Sequence, residues 1–174
     1  MNKNRVVKNA SWIIGIQIVK SLLGLVISML TARFLGPSNF GLINYAASIV
    51  AFVTPIMYLG LNGVLVQEIV NTPEKEGEIL GTSIFMAFIS SILCIGGVIS
   101  FSTIANHGEK DTIIVCALYS ILLIFQSFEM VIYWFQAKLL SKYSSVVSLA
   151  AYILVSGYKI YLLATQKSIY WFAV

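Results

Sequence analysis

The sequence predicts an all-α, polytopic transmembrane helix bundle, and three observations carry that prediction. Hydrophobic residues make up 59% of the 174 and charged residues only 10%, against roughly 25% charged in a soluble domain whose surface must face water. The mean hydropathy is +0.90. The apolar runs are long enough to cross a bilayer, which takes about 20 helical residues.

Five spans follow, at about 10–34, 40–66, 79–102, 112–135 and 144–165. The first begins after Lys3, Arg5 and Lys8. Its apolar run, Ala10 to Leu35, exceeds the roughly 7–15 residues of a signal peptide and ends in no small-x-small cleavage site, so it reads as an uncleaved span. Gly36-Pro37-Ser38-Asn39 predicts a tight turn, with Ser38 or Asn39 capping the next helix. Asn71-Thr72-Pro73-Glu74 predicts a helix start, with Thr72 as N-cap and Pro73 in the first position. Asn106 to Asp111, Gln136 to Lys142 and Thr165 to Ser168 are polar loops. A sixth span begins at Ile169 and runs for six residues to Val174, so the 174-residue chain is expected to be a fragment.

The net charge of +4 is scattered at the ends of apolar runs, which favours the membrane surface over nucleic acid as its counterpart. With the N-terminus inside, Lys3, Arg5, Lys8, Lys75, Lys138 and Lys142 fall on the inner side. Arg33, Lys110, Lys159 and Lys167 fall on the outer side, so the basic bias predicts a cytoplasmic N-terminus. Cys94 and Cys116 lie inside apolar runs, away from any metal or redox spacing, and read as reduced packing residues.

Polar groups inside a span mark the face turned away from lipid. Gln17, Ser21, Gly24, Ser28 and Thr31 keep to one stripe of the first span. Asn44, Ser48, Ala51, Pro55, Tyr58 and Asn62 do so in the second. Ser83, Ala87, Ser90, Cys94 and Gly97 in the third are uniformly small and suit close helix packing. In the first two spans, packing competes with a hydrophilic cavity. Lys20, beside the first stripe, reads as a charge close to mid-membrane, which costs at least about 2.5–3.5 kcal/mol and needs water or a partner. Glu129, on one face of the fourth span with Gln126 and Tyr133, is the expected partner. The pair is either a packing ion pair or part of a water-filled pathway whose positive charge suits an anionic substrate.

Arg33 and Lys159 lie near helix ends, where basic side chains snorkel to headgroups. Pro55 frees the carbonyl of Ala51 and is either a hinge or an ordinary membrane proline. His107 lies in a loop and is not expected to bind a metal by itself. The sequence holds no phosphate-binding glycine loop, zinc motif or Ser/His/Asp grouping, so neither enzyme activity nor a cofactor is expected.

The run Thr31-Ala32-Arg33-Phe34-Leu35-Gly36-Pro37-Ser38-Asn39-Phe40-Gly41 resembles the signature of the polysaccharide-biosynthesis flippases, the O-antigen and exopolysaccharide carriers of the multidrug/oligosaccharidyl-lipid/polysaccharide exporter superfamily. Asn9-x-x-Trp12 and Tyr58-Leu59-Gly60-Leu61-Asn62-Gly63 are similar to other parts of that pattern. Gln67-Glu68 departs from it, where the family commonly carries an arginine. The resemblance implies that residues 1–174 are part of the N-terminal lobe of a two-lobed carrier in a bacterial inner membrane. Such carriers move an undecaprenyl-pyrophosphate-linked oligosaccharide from the inner to the outer leaflet by alternating access, during lipopolysaccharide or related surface-polysaccharide assembly. It further implies membrane lipids, the lipid-linked oligosaccharide and other surface-polysaccharide assembly proteins as partners. The substrate pathway would draw on Lys20, Gln17, Ser21, Asn44, Tyr58, Asn62, Gln126, Glu129 and Arg33. Two alternatives remain: a drug or cation exporter of the same superfamily, and a truncated membrane protein without transport activity.

Overall fold

The computed structural model describes residues 3–165, with side chains from Ala10 onward. The sixth span expected from 169 lies outside the described residues. Within them the chain is helical and contains no strand: α1 (Lys3–Tyr58), α2 (Leu61–Asn71), a 3-10 turn (Pro73–Lys75), α3 (Glu76–Ala105), α4 (Lys110–Ser120), α5 (Leu122–Ser127), α6 (Met130–Ala137) and α7 (Ser141–Ala164). Four stretches are long and apolar enough to cross a membrane: Ala10–Asn71, Pro73–Ala105, Lys110–Ala137 and Ser141–Ala164.

The first of these has 62 residues, which laid straight would reach about 93 Å, three times a hydrocarbon core of about 30 Å. It is not straight. Gly36 alone leaves helical geometry, at φ 77° and ψ 167°, a conformation open to glycine because it has no Cβ. Pro37, Ser38 and Asn39 are already helical, so the expected four-residue turn contracts to a single-residue break. Neither Ser38 nor Asn39 is seen to cap the following helix; Asn39 Nδ2 donates back to the Leu35 carbonyl at 3.2 Å.

The partners of the two arms of α1 show which way each runs. In the first arm, Lys142 Nζ lies 5.2 Å from the Trp12 ring, Lys20 bonds Ser148, and Leu35 packs on Leu162 and Leu163. This arm therefore runs beside α7 in the same direction. In the second arm, Asn106 Nδ2 donates to Tyr45 Oη at 3.1 Å, and Tyr58 Oη donates to the Gln126 carbonyl at 2.8 Å. This arm runs with α4–α6 and against α3. Ile16 and Lys20 border Ile132, while Tyr58 reaches Glu129, three residues earlier. The two arms come to the same level from opposite directions, so the chain folds back at Gly36.

Apolar packing holds the second arm to α3–α6. Val50, Met57, Leu65, Ala87, Leu123 and Met130 form one buried cluster, and Ala46, Val98, Val115 and Cys116 form another. On α3 the buried positions are Ser83, Ala87, Ser91, Val98 and Ser102, whose small side chains let neighbouring backbones approach. Of the small stripe expected there, Ser90 and Cys94 are half-buried and Gly97 is exposed. A straight α-helix drifts off any alternating four-and-three spacing, which carries the end of the stripe away from the seam. Both Cys94 and Cys116 are free thiols.

Two expected continuous spans are broken. The second ends its first segment at Tyr58, where Leu59 (φ 49°) and Gly60 (φ 76°) turn left-handed before α2 resumes. For leucine that conformation costs about 1–2 kcal/mol. The fourth is divided into α4, α5 and α6, with i→i+3 bonds at each junction: Ile124 N–H to Ile121 O at 3.0 Å, and Glu129 N–H to Gln126 O at 2.9 Å. Thr72 is a further correction. Its hydroxyl forms no N-cap but donates to the Glu68 carbonyl at 2.9 Å, closing the end of α2, while Pro73 opens the 3-10 turn. Pro55 lies within α1 without taking the backbone out of helical geometry.

Candidate functional site

Two polar sites lie within the candidate spans, and they divide the residues singled out in the sequence. The first is a cavity of about 170 Å³ between the first arm of α1 and the start of α7. Gln17 and Lys20 line one wall; Ser141, Ser144, Ser145 and Ser148 line the other; Ile13, Ile16 and Ile132 close it. The four serines are spaced i, i+3, i+4 and i+7, the spacing that places side chains on one helical face. Lys20 is half-buried. Its ammonium donates to Ser148 Oγ and lies 5.8 Å from the Tyr152 ring centroid, within cation–π range.

Ser148 is seven residues into α7, about 10 Å along the helix from Ser141. Lys20 therefore stands about 10 Å from the end marked by Glu76, Lys138 and Lys142, a little short of the middle of the 24-residue α7. One turn beyond it, Gly24 makes room for Tyr152: a Cβ there would stand 2.6 Å from the tyrosine oxygen.

The second site joins the second arm of α1 to the α5–α6 junction. Thr54 Oγ1 is shared between the Val50 carbonyl at 2.7 Å and Gln126 Oε1 at 3.0 Å, and Tyr58 Oη between the Gln126 carbonyl at 2.8 Å and Glu129 Oε2 at 3.4 Å. Tyr58 is buried and Glu129 exposed. The expected Lys20–Glu129 pair does not form: the lysine turns to α7 and the carboxylate to Tyr58. Pairing depends on which helices are neighbours, and that information is non-local.

The remaining residues lie outside both sites. Ser21 is exposed on the flank of the first arm, and Arg33 is exposed three residues before the Gly36 break. Asn62 is half-buried in α2, its Oδ1 buried without a hydrogen-bond partner. Asn44 is exposed and donates to the Phe40 carbonyl at 2.8 Å; Ser48 in turn donates to the Asn44 carbonyl at 2.7 Å. Asn44, Ser48, Ala51 and Pro55 form a strip on the side of the arm away from its buried Ala46, Val50 and Met57. Beside that strip lie exposed Tyr45, Phe52 and Ile56. The free surface of this arm is thus split lengthwise into a small, polar strip and an apolar one.

Sequence reasoning missed Thr54 and all four serines of α7. The serines carried a signal, since their i, i+3, i+4, i+7 spacing was legible once the helix was extended back from 144 to Ser141. Thr54 carried none, because its side-chain partner, Gln126, comes from another helix. Among the described residues no group of three or more His, Cys, Asp or Glu side chains is placed to hold a metal ion.

At the end where α3 begins and α6 ends, Lys138 pairs with Glu76. A family model described as polysaccharide biosynthesis protein matches residues 6–174. Neither a curated protein nor a solved structure gives a significant match.

Proposed function

From the premise that the chain belongs to the polysaccharide biosynthesis protein family, and so is a membrane protein with helices able to cross the bilayer, we propose that it forms the N-terminal part of a lipid-linked oligosaccharide carrier. It moves an undecaprenyl-pyrophosphate-linked oligosaccharide from the inner to the outer leaflet of a bacterial inner membrane by alternating access. It crosses the membrane five times over the described residues, the fold-back at Gly36 separating the first two crossings, with the N-terminus cytoplasmic. It performs no chemistry on its substrate.

The observation that carries this reading is the Lys20–serine cavity. A pyrophosphate presents several acceptor oxygens and negative charge; an ammonium and a row of hydroxyls supply donors for both. With the N-terminus inside, that cavity lies toward the cytoplasmic leaflet, where such a lipid is assembled. A lysine at this depth can also snorkel to headgroups, but snorkelling does not call for four serines and a glutamine facing it. The polar strip of Asn44 and Ser48 supports the same reading, because lipid gains nothing from such a surface and a hydrated path does.

The cation-exporter reading predicts a different preference, so binding separates the two. The chain in nanodiscs is titrated with an undecaprenyl-pyrophosphate-linked oligosaccharide and with a lipophilic cation. The lipid pyrophosphate binds, and Lys20→Gln weakens it about 10- to 100-fold, the value of a charged hydrogen bond of about 1.5–3 kcal/mol; Lys20→Arg retains most of it. Binding of the cation instead, indifferent to Lys20, contradicts the reading.

A further inference from the structure

A second polar cavity, of about 270 Å³, opens at the opposite end of the bundle from Lys138 and Lys142, where the start of the second arm of α1 meets the loop between α3 and α4. Ser38, Gly41 and Tyr45 form one side and Asn106, Glu109 and Thr112 the other. Part of this wall is bonded to itself. Asn106 Nδ2 donates to Tyr45 Oη at 3.1 Å and to the Ser102 carbonyl at 3.2 Å, and Thr112 Oγ1 donates to Glu109 Oε2 at 2.9 Å. Among the described residues, the Tyr45 proton, the Ser38 hydroxyl and the second carboxylate oxygen of Glu109 remain for a ligand. Tyr45 is 37% exposed and adds an aromatic surface. Gly41 leaves the cavity open, since an added Cβ would meet nothing within 4 Å. It stands seven residues before Ser48, on the same line of the helix, so the cavity borders the Asn44–Ser48 polar strip.

We propose that this cavity is a subsite for one sugar ring, separate from the Lys20 cavity. A sugar offers hydroxyls that donate and accept and C–H faces that lie against an aromatic ring. Glu109 accepts from its hydroxyls, Tyr45 and Ser38 donate to them, and the Tyr45 ring covers an apolar face. The volume falls just under the roughly 300–1,000 Å³ of sites for drug-sized ligands, which suits a single ring. Among the described residues no basic side chain lines the cavity, so a phosphate finds no counter-charge there. Glu109 brings the one carboxylate, where calcium takes roughly 6–8 oxygen ligands. Lys20 lies 16 residues before Gly36, about 24 Å along the first arm, too far for one pyrophosphate to reach both sites. The source of the sugar, the glycan of a lipid-linked oligosaccharide, rests on the carrier reading; recognition of a saccharide by the cavity is tested without it.

The chain in nanodiscs is titrated with the oligosaccharide released by mild acid from the surface polysaccharide of the cell that makes it, and binding is read by NMR as saturation transfer from protein to sugar protons. The native chain binds it. Glu109→Gln binds about tenfold more weakly, as a charge-assisted hydrogen bond becomes a neutral one, and Gly41→Leu does not bind. The leucine fills the cavity without removing a bond from its wall, and it replaces a helical glycine in open space, so the fold is kept and an unchanged unfolding midpoint verifies it. Lys20→Gln binds the free saccharide as the native chain does. Absence of saturation transfer with the native chain, or equal transfer with Gly41→Leu, overturns the proposal. A second arm compares undecaprenyl pyrophosphate with and without its glycan. The glycan should tighten binding to the native chain and not to Gly41→Leu; equal affinities in the native chain would assign the cavity to a free saccharide instead. Saccharide binding without lipid-pyrophosphate binding removes the proposed function and keeps the subsite, and the reverse outcome removes the subsite alone.

Discussion

The two seams that α1 makes with the rest of the molecule are built from the same materials and do opposite things with them. Along the first arm, α1 and α7 are each unbroken, and the polar groups between them leave a cavity around Lys20. Along the second arm the polar groups close on one another, Thr54 on Gln126 and Tyr58 on Gln126 and Glu129, with the flanking helices broken on both sides. A cavity lined by an ammonium and hydroxyls suits a ligand. A closed network across two breaks suits a change of shape. Polar residues within candidate spans are therefore not one class here: what distinguishes them is whether the backbone beside them is continuous.

The comparison breaks most visibly at Lys20. Lys20→Gln should remove most lipid-pyrophosphate binding, about 10- to 100-fold, while leaving amide exchange at 128–132 unchanged. Equal effects on both seams would mean that they are one site. Gly36 tests the premise that the two arms are separate at all. Gly36→Ala puts a Cβ into a conformation at φ 77° and should destabilise the chain by about 1–2 kcal/mol, read as a lowered unfolding midpoint in detergent. An unchanged midpoint would mean that the arms do not rely on that break.

Tyr58→Phe sharpens the second seam. It deletes a hydroxyl shared between two acceptors and should destabilise by about 1 kcal/mol, with lipid-pyrophosphate binding kept. The smallest effect belongs to Gly24→Ala. The added methyl meets only the tip of Tyr152, a flexible contact, so binding should change less than about threefold while the α1–α7 packing near Lys20 loosens slightly. A large loss there would make helix spacing, rather than charge, the controlling feature of the first seam.

Much of this was legible before any coordinates. Membrane character, the helical class and, within about three residues, the ends of α3 and α7 come from composition and local periodicity, because in a bilayer each backbone must satisfy its own hydrogen bonds. Gly36 was recognisable as a break from the glycine-proline pair, although the reversal takes one residue instead of four. The divisions at Leu59 and at Phe128–Glu129 were not legible, since no proline or glycine pair marks the second, and Gly60 alone reads as tolerable inside a span. The expected pairing of Lys20 with Glu129 does not form, because adjacency of α1 with α7 is set by packing of distant segments. The serines of α7 show the opposite failure: a local pattern was present and was divided between a loop and a span.

The most direct test of the first seam is phosphorus NMR of undecaprenyl pyrophosphate in nanodiscs holding the chain. The account predicts a bound-state shift of the pyrophosphate resonances with the native chain and with Lys20→Arg, a weaker shift with Ser148→Ala, and none with Lys20→Gln. The same shift in native chain and Lys20→Gln would contradict it, and would leave Lys20 as a snorkelling lysine beside an empty cleft.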